Sequence, residues 1–289
     1  MRWALILLLV TAVFAVPEAS PCLAHGKPAA EISRGPDVLD SGEGSLDPGD
    51  SDTAHASPEK SSAVPGLDAA ALAAAGGASD VGLAVLDLES GQLVSAQGDK
   101  PFYSASLSKL ILAVYAWQQQ PSADDVALLD RALSFSDDNA MDVLWTRFDG
   151  MDAIGVVAAE AGLTGTHAPD DPSQWGEVVV TANDMVRLYD YVLGSPQRDA
   201  VVGALSKATP TAADGFDQAF GLLGVTGAYA KQGWMYYLPS DVYLHSAGVL
   251  DGRYAVAVLT TNPTGSWTVA RQSINAVATA VLTKLGVQS

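Results

Sequence analysis

The order of strand-like and helical segments constrains the fold of this chain most. Two short β-type runs come early, at residues 81–89 and 92–96, and a Ser-Gly turn joins them. Three more come late, at residues 227–235, 241–250 and 253–261, with a tight Asp-Gly turn between the last two. Helical patterns fill the region between the two groups. We therefore predict an α+β fold, in which an antiparallel sheet of about five strands is assembled from both ends of the chain and flanked by helices.

Apolar residues recur at helical spacing in six segments of this folded part. The predicted helices span residues 107–118, 125–133, 139–148, 151–161, 182–193 and 267–285, and an alanine-rich helix at 67–75 precedes the first strand. Thr181 and Asp184 have the spacing of a capping box at one helix start, to which we assign no chemistry. Residues 162–177 show no period, which predicts a functional or flexible loop. We expect the active-site residues to lie where the helices meet the sheet.

The N-terminal residues have the pattern of an export signal. Arg2 precedes an apolar run at residues 4–16 that is too short to anchor the chain across a bilayer. Cys22 and Ala24 are small residues at the two positions that a signal peptidase reads, which predicts a signal peptide of residues 1–24. The alternative is a lipid anchor on Cys22, although a proline directly before this cysteine is a poor acceptor context. Both alternatives predict an exported protein that is secreted or associated with the cell wall or cell surface.

The remainder divides into a tether and a domain. Residues 25–65 consist largely of Ser, Pro, Gly, Ala and Asp, and they cannot bury enough apolar surface to offset chain entropy. We predict that this acidic segment is disordered. Residues 66–289 are apolar enough to form one core, and we expect a monomeric domain there.

Charge and cysteine content exclude several classes of partner. The formal net charge is −18, from 33 acidic and 15 basic side chains, so nucleic acid and anionic membrane surfaces would be repelled. Cys22 is the only cysteine, and cleavage after Ala24 would remove it, leaving neither a disulfide nor a thiolate metal site. The sequence contains no His-Glu-x-x-His motif. We expect no metal ion and no other cofactor.

Ser106 and Lys109 stand three residues apart at the start of a predicted helix, which places both side chains on one face. A serine needs a base before it can attack a carbonyl group at neutral pH, and a partly desolvated lysine can accept its proton. The pair alone has low specificity, because a helix-capping serine followed by a solvated lysine has the same spacing.

Two further elements accompany the pair in the expected order. The run from Ser136 to Asn139, Ser-Asp-Asp-Asn, opens a helix, and Lys231-Gln232-Gly233 lies in the first late strand. With these elements the chain resembles class A β-lactamases and low-molecular-weight penicillin-binding proteins, which carry Ser-x-x-Lys, Ser-x-Asn and Lys-Thr-Gly. The resemblance covers essentially all of residues 66–289 and implies a β-lactamase/transpeptidase-like fold.

The resemblance implies the role of each catalytic residue. Ser106 would attack a β-lactam or a D-alanyl-type peptide derived from peptidoglycan and form an acyl-enzyme, with Lys109 taking its proton. Ser136 would relay a proton to the leaving nitrogen. Lys231 would supply positive charge near Ser136 and the substrate carboxylate. Backbone N–H groups of Ser106 and Trp234 would form the oxyanion hole.

The predicted substrate-binding residues include departures from this pattern. Asp138 stands at the family's asparagine position, and Asn139 reaches that position only if the motif shifts by one residue. Gln232 replaces a threonine or serine, although its amide can still donate a hydrogen bond. Gly233 would let the strand approach the ligand, and Trp234 follows it. Only 30 positions separate the two motif serines, which predicts a reduced helical subdomain and a more open cleft.

The loop at 162–177 lacks the glutamate, followed by leucine and asparagine, that activates the deacylating water in class A β-lactamases. Asp170, Asp171 and Glu177 are its only carboxylates near that position, and we interpret them as solvated charges. The sequence therefore predicts slow deacylation. Two alternatives stay open: a catalytically weak cell-wall or ligand-binding protein with the same fold, and an esterase for small esters. His167 and His245 are interpreted as structural, since no Gly-x-Ser-x-Gly motif occurs.

Overall fold

A computed structural model describes residues 74, 78, 80–237, 241–263 and 265–287, and these residues form seven strands. The strands are β1 (Asp80–Asp87), β2 (Gln92–Ala96), β3 (Phe102–Tyr103), β4 (Val179–Val180), β5 (Ala228–Tyr237), β6 (Asp241–Leu250) and β7 (Tyr254–Asn262). Five of them form an antiparallel sheet in the order β2-β1-β7-β6-β5. The early hairpin therefore pairs with the last strand, which confirms a sheet assembled from both ends of the chain.

Seven α-helices among the described residues accompany the sheet. They are α1 (Ser108–Gln118), α2 (Ala123–Ser134), α3 (Asp138–Arg147), α4 (Gly150–Ala161), α5 (Ala182–Gly194), α6 (Arg198–Leu205) and α7 (Trp267–Leu285). Six of them were predicted from helical periodicity and begin and end within about two residues of the expected positions. Helix α6 was not predicted, because eight residues are too few to show a clear period. The helix expected at 67–75, the tether and the signal peptide lie outside the described ranges, apart from residue 74.

Helices cover both faces of the sheet, as its buried strands require. Helix α5 packs on one face, where Tyr189 donates a hydrogen bond to the carbonyl oxygen of Ala247 in β6 at 2.7 Å. Helix α7 packs on the other face and buries Ile274, Val277 and Val281. The first face is continuous with the helical part, whose central helix α1 is buried almost all round. The α+β class is confirmed.

The helical part and the sheet meet at the N-terminal end of α1. The two-stranded sheet of β3 and β4 brings the chain to this point, and Ser104 donates its backbone N–H to Val178 at 2.7 Å. Strand β5 passes the same turn: a Cβ atom on Gly233 would lie 2.9 Å from the carbonyl oxygen of Ser104. Residues from both ends of the chain and from its middle therefore converge here.

Candidate active site

Ser106 lies in a single turn of 3-10 helix, Ala105–Leu107, directly before α1. Ala105 has φ +47°, in the left-handed region, and Leu107 donates its N–H to Ser104 at 3.0 Å. Left-handed backbone at a residue other than glycine costs about 1–3 kcal/mol and is found preferentially at functional sites. The turn buries Ser106, and its Oγ atom faces the end of a lysine side chain.

Lys109 contacts both the serine and a carboxylate. Its Nζ atom lies 2.6 Å from Ser106 Oγ and 2.6 Å from Asp138 Oδ1, and its side chain is fully buried. The ring of Trp175 covers the same amine, with the Nζ atom 4.3 Å from the ring centroid. An ammonium group here would be stabilised by the carboxylate and by the face of the indole.

Ser136 and Lys231 form a second hydroxyl–amine pair. The Nζ atom of Lys231 donates to Ser136 Oγ at 2.7 Å and to the carbonyl oxygen of Gln232 at 2.8 Å. Ser136 is buried and has φ +52°, again in the left-handed region. Burial, and then the charge of Lys109, hold the pKa of Lys231 well below its usual value. A proton can pass between these two groups without a change of backbone position.

The residues around Ser136 show which alignment of the motif is correct. Asp137 caps α3, accepting from the N–H of Ala140 at 3.2 Å, and forms an ion pair with Arg131. Burial raises the pKa of Asp137, but its hydrogen bonds and the Arg131 charge lower it overall. Asn139 is exposed. The gapless alignment therefore holds, with Asp138 at the asparagine position, and the placement of Asn139 gives no support to its predicted contact with substrate.

The side chain of Gln232 points away from the serine. Its Oε1 atom accepts from Ser246 Oγ at 2.8 Å, and its Nε2 atom donates to the carbonyl oxygen of Phe220. The residue is 1 % exposed. Because its amide is already paired within the protein, this conformation gives no support to the substrate-binding role predicted for Gln232.

Gly233 packs closely against the turn that carries Ser106. The close approach that it permits is to the nucleophile turn, where a Cβ atom would also lie 3.3 Å from Leu107 Cγ. Packing at Gly233 therefore positions Ser106, and the role of Gly233 in admitting a ligand stays a prediction. The indole of Trp234 stacks on Phe216, with centroids 4.7 Å apart, and Trp234 also lines the cavity at the serine.

A cavity of about 200 Å³ opens at Ser106. Its lining residues are Ala105, Ser106, Asp138, Asp142, Ser173, Gln174, Trp175, Gly176, Glu177, Trp234 and Met235. Three of these side chains are carboxylates, and none of the lining residues is a lysine or arginine. Sequence reasoning missed Asp142. The signal was available, because Asp142 follows Asp138 by four residues in α3 and must share its face.

The comparisons with known proteins agree with this geometry. The sequence model of the β-lactamase enzyme family matches residues 67–128 and 120–285. The chain belongs to this family. "Putative lipoprotein LppW" of Mycobacterium tuberculosis and its counterpart in Mycobacterium bovis are 35% identical to it over 226 residues, covering 72% of this chain and 71% of the relative.

Solved β-lactamases share the fold of this family member at low sequence identity. A β-lactamase from Chitinophaga pinensis superposes with a TM-score of 0.64 at 14% identity, covering 76% of this chain and 99% of that structure. A class A β-lactamase from Mycobacterium abscessus superposes with a TM-score of 0.60 at 17% identity, covering 76% and 100%. These likenesses confirm the β-lactamase-like fold.

The loop at 162–177 of this β-lactamase family member is held at both ends. Asp184 accepts from the N–H of Gly165 at 2.8 Å and from Thr166 Oγ1 at 2.9 Å, so the helix start predicted at this aspartate also anchors the loop. Near the far end, Trp175 Nε1 donates to Asp142 Oδ1 at 2.8 Å. These contacts fix the ring of Trp175 beside Lys109.

The carboxylates of this loop differ in their surroundings. Asp170 and Asp171 are exposed, as interpreted from the sequence. Glu177 is instead half-buried, lines the cavity and hydrogen-bonds with Tyr237. Burial, and then the charge of Asp171, raise the pKa of Glu177 above its usual value. The interpretation of Glu177 as a solvated charge is therefore wrong.

Neither histidine of the described domain is arranged as a catalytic base. His167 is exposed, with its Nδ1 atom 2.9 Å from the carbonyl oxygen of Ala168. His245 is fully buried between Tyr103, whose carbonyl oxygen lies 2.9 Å from Nε2, and Thr260, whose N–H lies 3.2 Å from Nδ1. Burial lowers the pKa of His245 to about 4. His245 therefore links the approach to the nucleophile turn to strand β7.

Two further features of the described ranges concern metal ligands and membrane-spanning helices. No group of three or more His, Cys, Asp or Glu side chains there is arranged to hold a metal ion. No helix among the same residues has the length and apolar character needed to cross a membrane.

Proposed function

We propose that this protein is an exported serine hydrolase that is acylated on Ser106. The observation that carries the proposal is the 2.6 Å contact between Lys109 Nζ and Ser106 Oγ at the wall of a cavity. A hydroxyl, a buried amine and a second hydroxyl–amine pair in one site are the groups that acyl transfer requires. The substrates would be acyl amides or esters, with β-lactams and D-alanyl-type peptides as the candidates that the family suggests.

Acylation needs two proton transfers: Ser106 loses a proton, and the leaving group gains one. Neutral Lys109 accepts the proton of Ser106 as Oγ forms a bond to the carbonyl carbon, and the new ammonium is stabilised by Asp138 at 2.6 Å. The backbone N–H groups of Ser106 and Trp234 are proposed to bind the oxyanion. Ser136 then gives its proton to the leaving nitrogen or oxygen as that atom's bond to carbon breaks, and Lys231 reprotonates Ser136.

Hydrolysis of the acyl-enzyme is proposed to be slow. Water must lose a proton as it attacks the ester carbon, and the loop lacks the glutamate, followed by leucine and asparagine, that serves this purpose in class A enzymes. Glu177, the carboxylate of the loop that lines the cavity, hydrogen-bonds with Tyr237. The indole of Trp175 covers Lys109 instead, 4.3 Å from its amine. An aromatic ring cannot accept that proton, so the acyl group should remain on Ser106 for longer than one catalytic cycle of an efficient hydrolase.

A second candidate is a ligand-binding protein that keeps the fold but does not turn over substrate. The buried amide of Gln232 favours this candidate, because a hydrogen-bond donor expected at the substrate carboxylate is paired within the protein. Small-ester hydrolysis is a variant of the first proposal, since it uses the same Ser106 and Lys109.

Export is supported by the name of the mycobacterial relative, which is called a lipoprotein. We propose a cell-surface location, with the chain held by a lipid on Cys22 or released after Ala24. Mass spectrometry of the mature N-terminal peptide distinguishes these two outcomes: a diacylated Cys22 supports the anchor, and a peptide beginning at residue 25 supports release.

Labelling with a neutral fluorophosphonate and with a fluorescent penicillin tests the proposal. Wild-type protein should be labelled covalently by the fluorophosphonate, and Ser106→Ala should not. Labelling by the penicillin as well would place β-lactams among the substrates. If neither probe labels the folded wild-type protein, the binding-protein candidate replaces the hydrolase.

A further inference from the structure

We propose that the site selects acyl esters or amides that carry a cationic ammonium group, with Asp142 and Glu177 as the residues that determine this specificity. The inference rests on the proposed function, because it concerns the substrate of Ser106. It does not follow from the resemblance to β-lactamases, whose usual substrates carry a carboxylate.

Groups that could bind a substrate anion are engaged within the protein. Lys231 is 1 % exposed, and its amine donates to Ser136 Oγ and to the carbonyl oxygen of Gln232. Gln232 donates its own amide to the backbone of Phe220 and does not line the cavity. Burial also lowers the pKa of Lys231 below its usual value. A carboxylate entering the cavity would lose its water without gaining a free cation.

Two of the three carboxylates that line the cavity have no cationic partner among the described residues. Asp138 pairs with Lys109, but the ion pairs of the described residues include none with Asp142 or Glu177. The carboxylate of Asp142 accepts a hydrogen bond from Trp175 Nε1 at 2.8 Å, and Glu177 hydrogen-bonds with Tyr237. Asp142 is exposed and Glu177 is half-buried, and two carboxylates without a cationic partner at the same cavity attract a positive group.

The size and lining of the cavity suit a compact cation. Its volume of about 200 Å³ admits a short acyl chain rather than a large side group. Trp175 and Trp234 line it together with the carboxylates, and indole faces stabilise alkylammonium groups. The raised pKa of Glu177 is consistent with this, because a bound ammonium would offset the desolvation that now disfavours its anionic form.

Three matched 4-nitrophenyl esters test the inference on the full chain. They are the esters of 4-(trimethylammonio)butyrate, of its neutral isostere 5,5-dimethylhexanoate, and of glutarate, which is anionic. The rate of nitrophenolate release during acylation gives a kcat/KM for each. We expect the cationic ester to exceed the neutral one by about tenfold, the value of one partly desolvated cation–π contact, and the anionic ester to be the slowest.

Variants assign the preference to the two carboxylates. Asp142→Asn and Glu177→Gln should each lower the cationic-to-neutral ratio, and the double variant should bring it close to one. Asp170→Asn is the matched control, because it removes the same charge from an exposed position in the same loop. The cationic-to-neutral ratio should be unchanged in this variant.

The outcomes separate the inference from the proposed function. Equal rates for the three esters, or preference for the anionic one, would overturn the cationic specificity while leaving Ser106 as the nucleophile. A preference that persists in the double variant would remove Asp142 and Glu177 as its source. Absence of nitrophenolate release and of an acyl adduct with every ester, in folded wild-type protein, would overturn the proposed function itself.

Discussion

Lys231 Nζ lies 2.7 Å from Ser136 Oγ, although the two residues are 95 positions apart in the chain. Lys231 belongs to strand β5, and Ser136 directly precedes the Asp137 cap of helix α3. The contact therefore crosses the junction between the sheet and the helical part. A complete site forms only when these two parts are packed together.

This contact predicts that the two residues act as one unit. Ser136→Ala and Lys231→Ala should each lower the rate of acylation by a neutral amide, whose leaving nitrogen must take up a proton, about a hundredfold, the usual value of a proton-transfer group. The double variant should be no slower than either single one, since each change breaks the same relay. Lys207→Ala is the control, because that lysine is exposed and pairs with Asp130 on the surface. Additive losses in the double variant would contradict a shared role.

We predict that replacing the carboxylate of Asp138 by an amide changes the substrate preference. A carboxylate can only accept hydrogen bonds, whereas an asparagine at this position also offers an N–H to a substrate carbonyl group. Asp138→Asn should therefore raise the rate of acylation by benzylpenicillin relative to a neutral ester, by roughly tenfold. The measurement is the ratio of the two rates. Asp137→Asn, one residue away, should instead reduce stability with no rise in that ratio, because its side chain caps α3 and pairs with Arg131.

We predict that a side chain at position 233 disturbs the packing around Ser106. Gly233→Ala would place a Cβ atom 2.9 Å from Ser104 O, so the turn that carries Ser106 must move. We expect a loss of about 1–3 kcal/mol in the free energy of unfolding, together with slower acylation. Urea unfolding and ester kinetics measure both. Gly155→Ala is matched, because a Cβ atom there meets nothing within 4 Å, and its stability should stay equal or rise. Unchanged acylation in Gly233→Ala would contradict the positioning role.

We predict that the burial of neutral His245 makes the protein less stable in mild acid. Its folded-state pKa is about 4, against 6.5 for the free side chain, so the unfolded chain binds more protons between these values. The contribution is complete above pH 6.5 and falls as the pH decreases towards 4, by up to about 3 kcal/mol. The groups around the ring are Phe102, Tyr243 and the backbone of Tyr103 and Thr260, and none is charged in this range.

Urea unfolding of wild type and His245→Gln at several pH values tests this expectation. The difference between the two proteins should shrink as the pH falls from 7 to 4. The Asp87–Arg253 ion pair does not interfere, because it lowers the pKa of Asp87 to about 2 and so acts at lower pH. A constant difference across this range would show that His245 does not titrate as described.

Sequence patterns predicted the sheet, because strands depend on local periodicity. The four catalytic side chains were instead implied by the resemblance to β-lactamases, and their roles stay predictions. Strand β6 and helix α7 have the bounds expected from the sequence. One motif residue whose predicted contact with substrate finds no support in the structure is Gln232. In a strand, neighbouring side chains alternate between faces, so Gln232 cannot share the face of Lys231. This alternation can be read from the sequence, and it is a stronger guide to the orientation of Gln232 than its position in the motif.

The cavity itself could not be predicted in this way. Trp175 reaches Lys109 through an irregular loop whose path depends on tertiary contacts, such as those of Asp184 with Gly165 and Thr166. No periodic signal in the loop indicates which side chains turn inward. Glu177 was interpreted as solvated for the same reason, since its burial arises from packing that lies outside the local sequence.

Intact mass spectrometry of the protein, followed over hours after addition of a neutral 4-nitrophenyl butyrate ester, tests the central claim most directly. The account predicts one butyryl adduct that maps to Ser106, forms with release of nitrophenolate and persists after the excess ester is removed. Ser106→Ala should show no such adduct. An unmodified wild-type protein, or an adduct that maps elsewhere and survives in Ser106→Ala, would contradict the account.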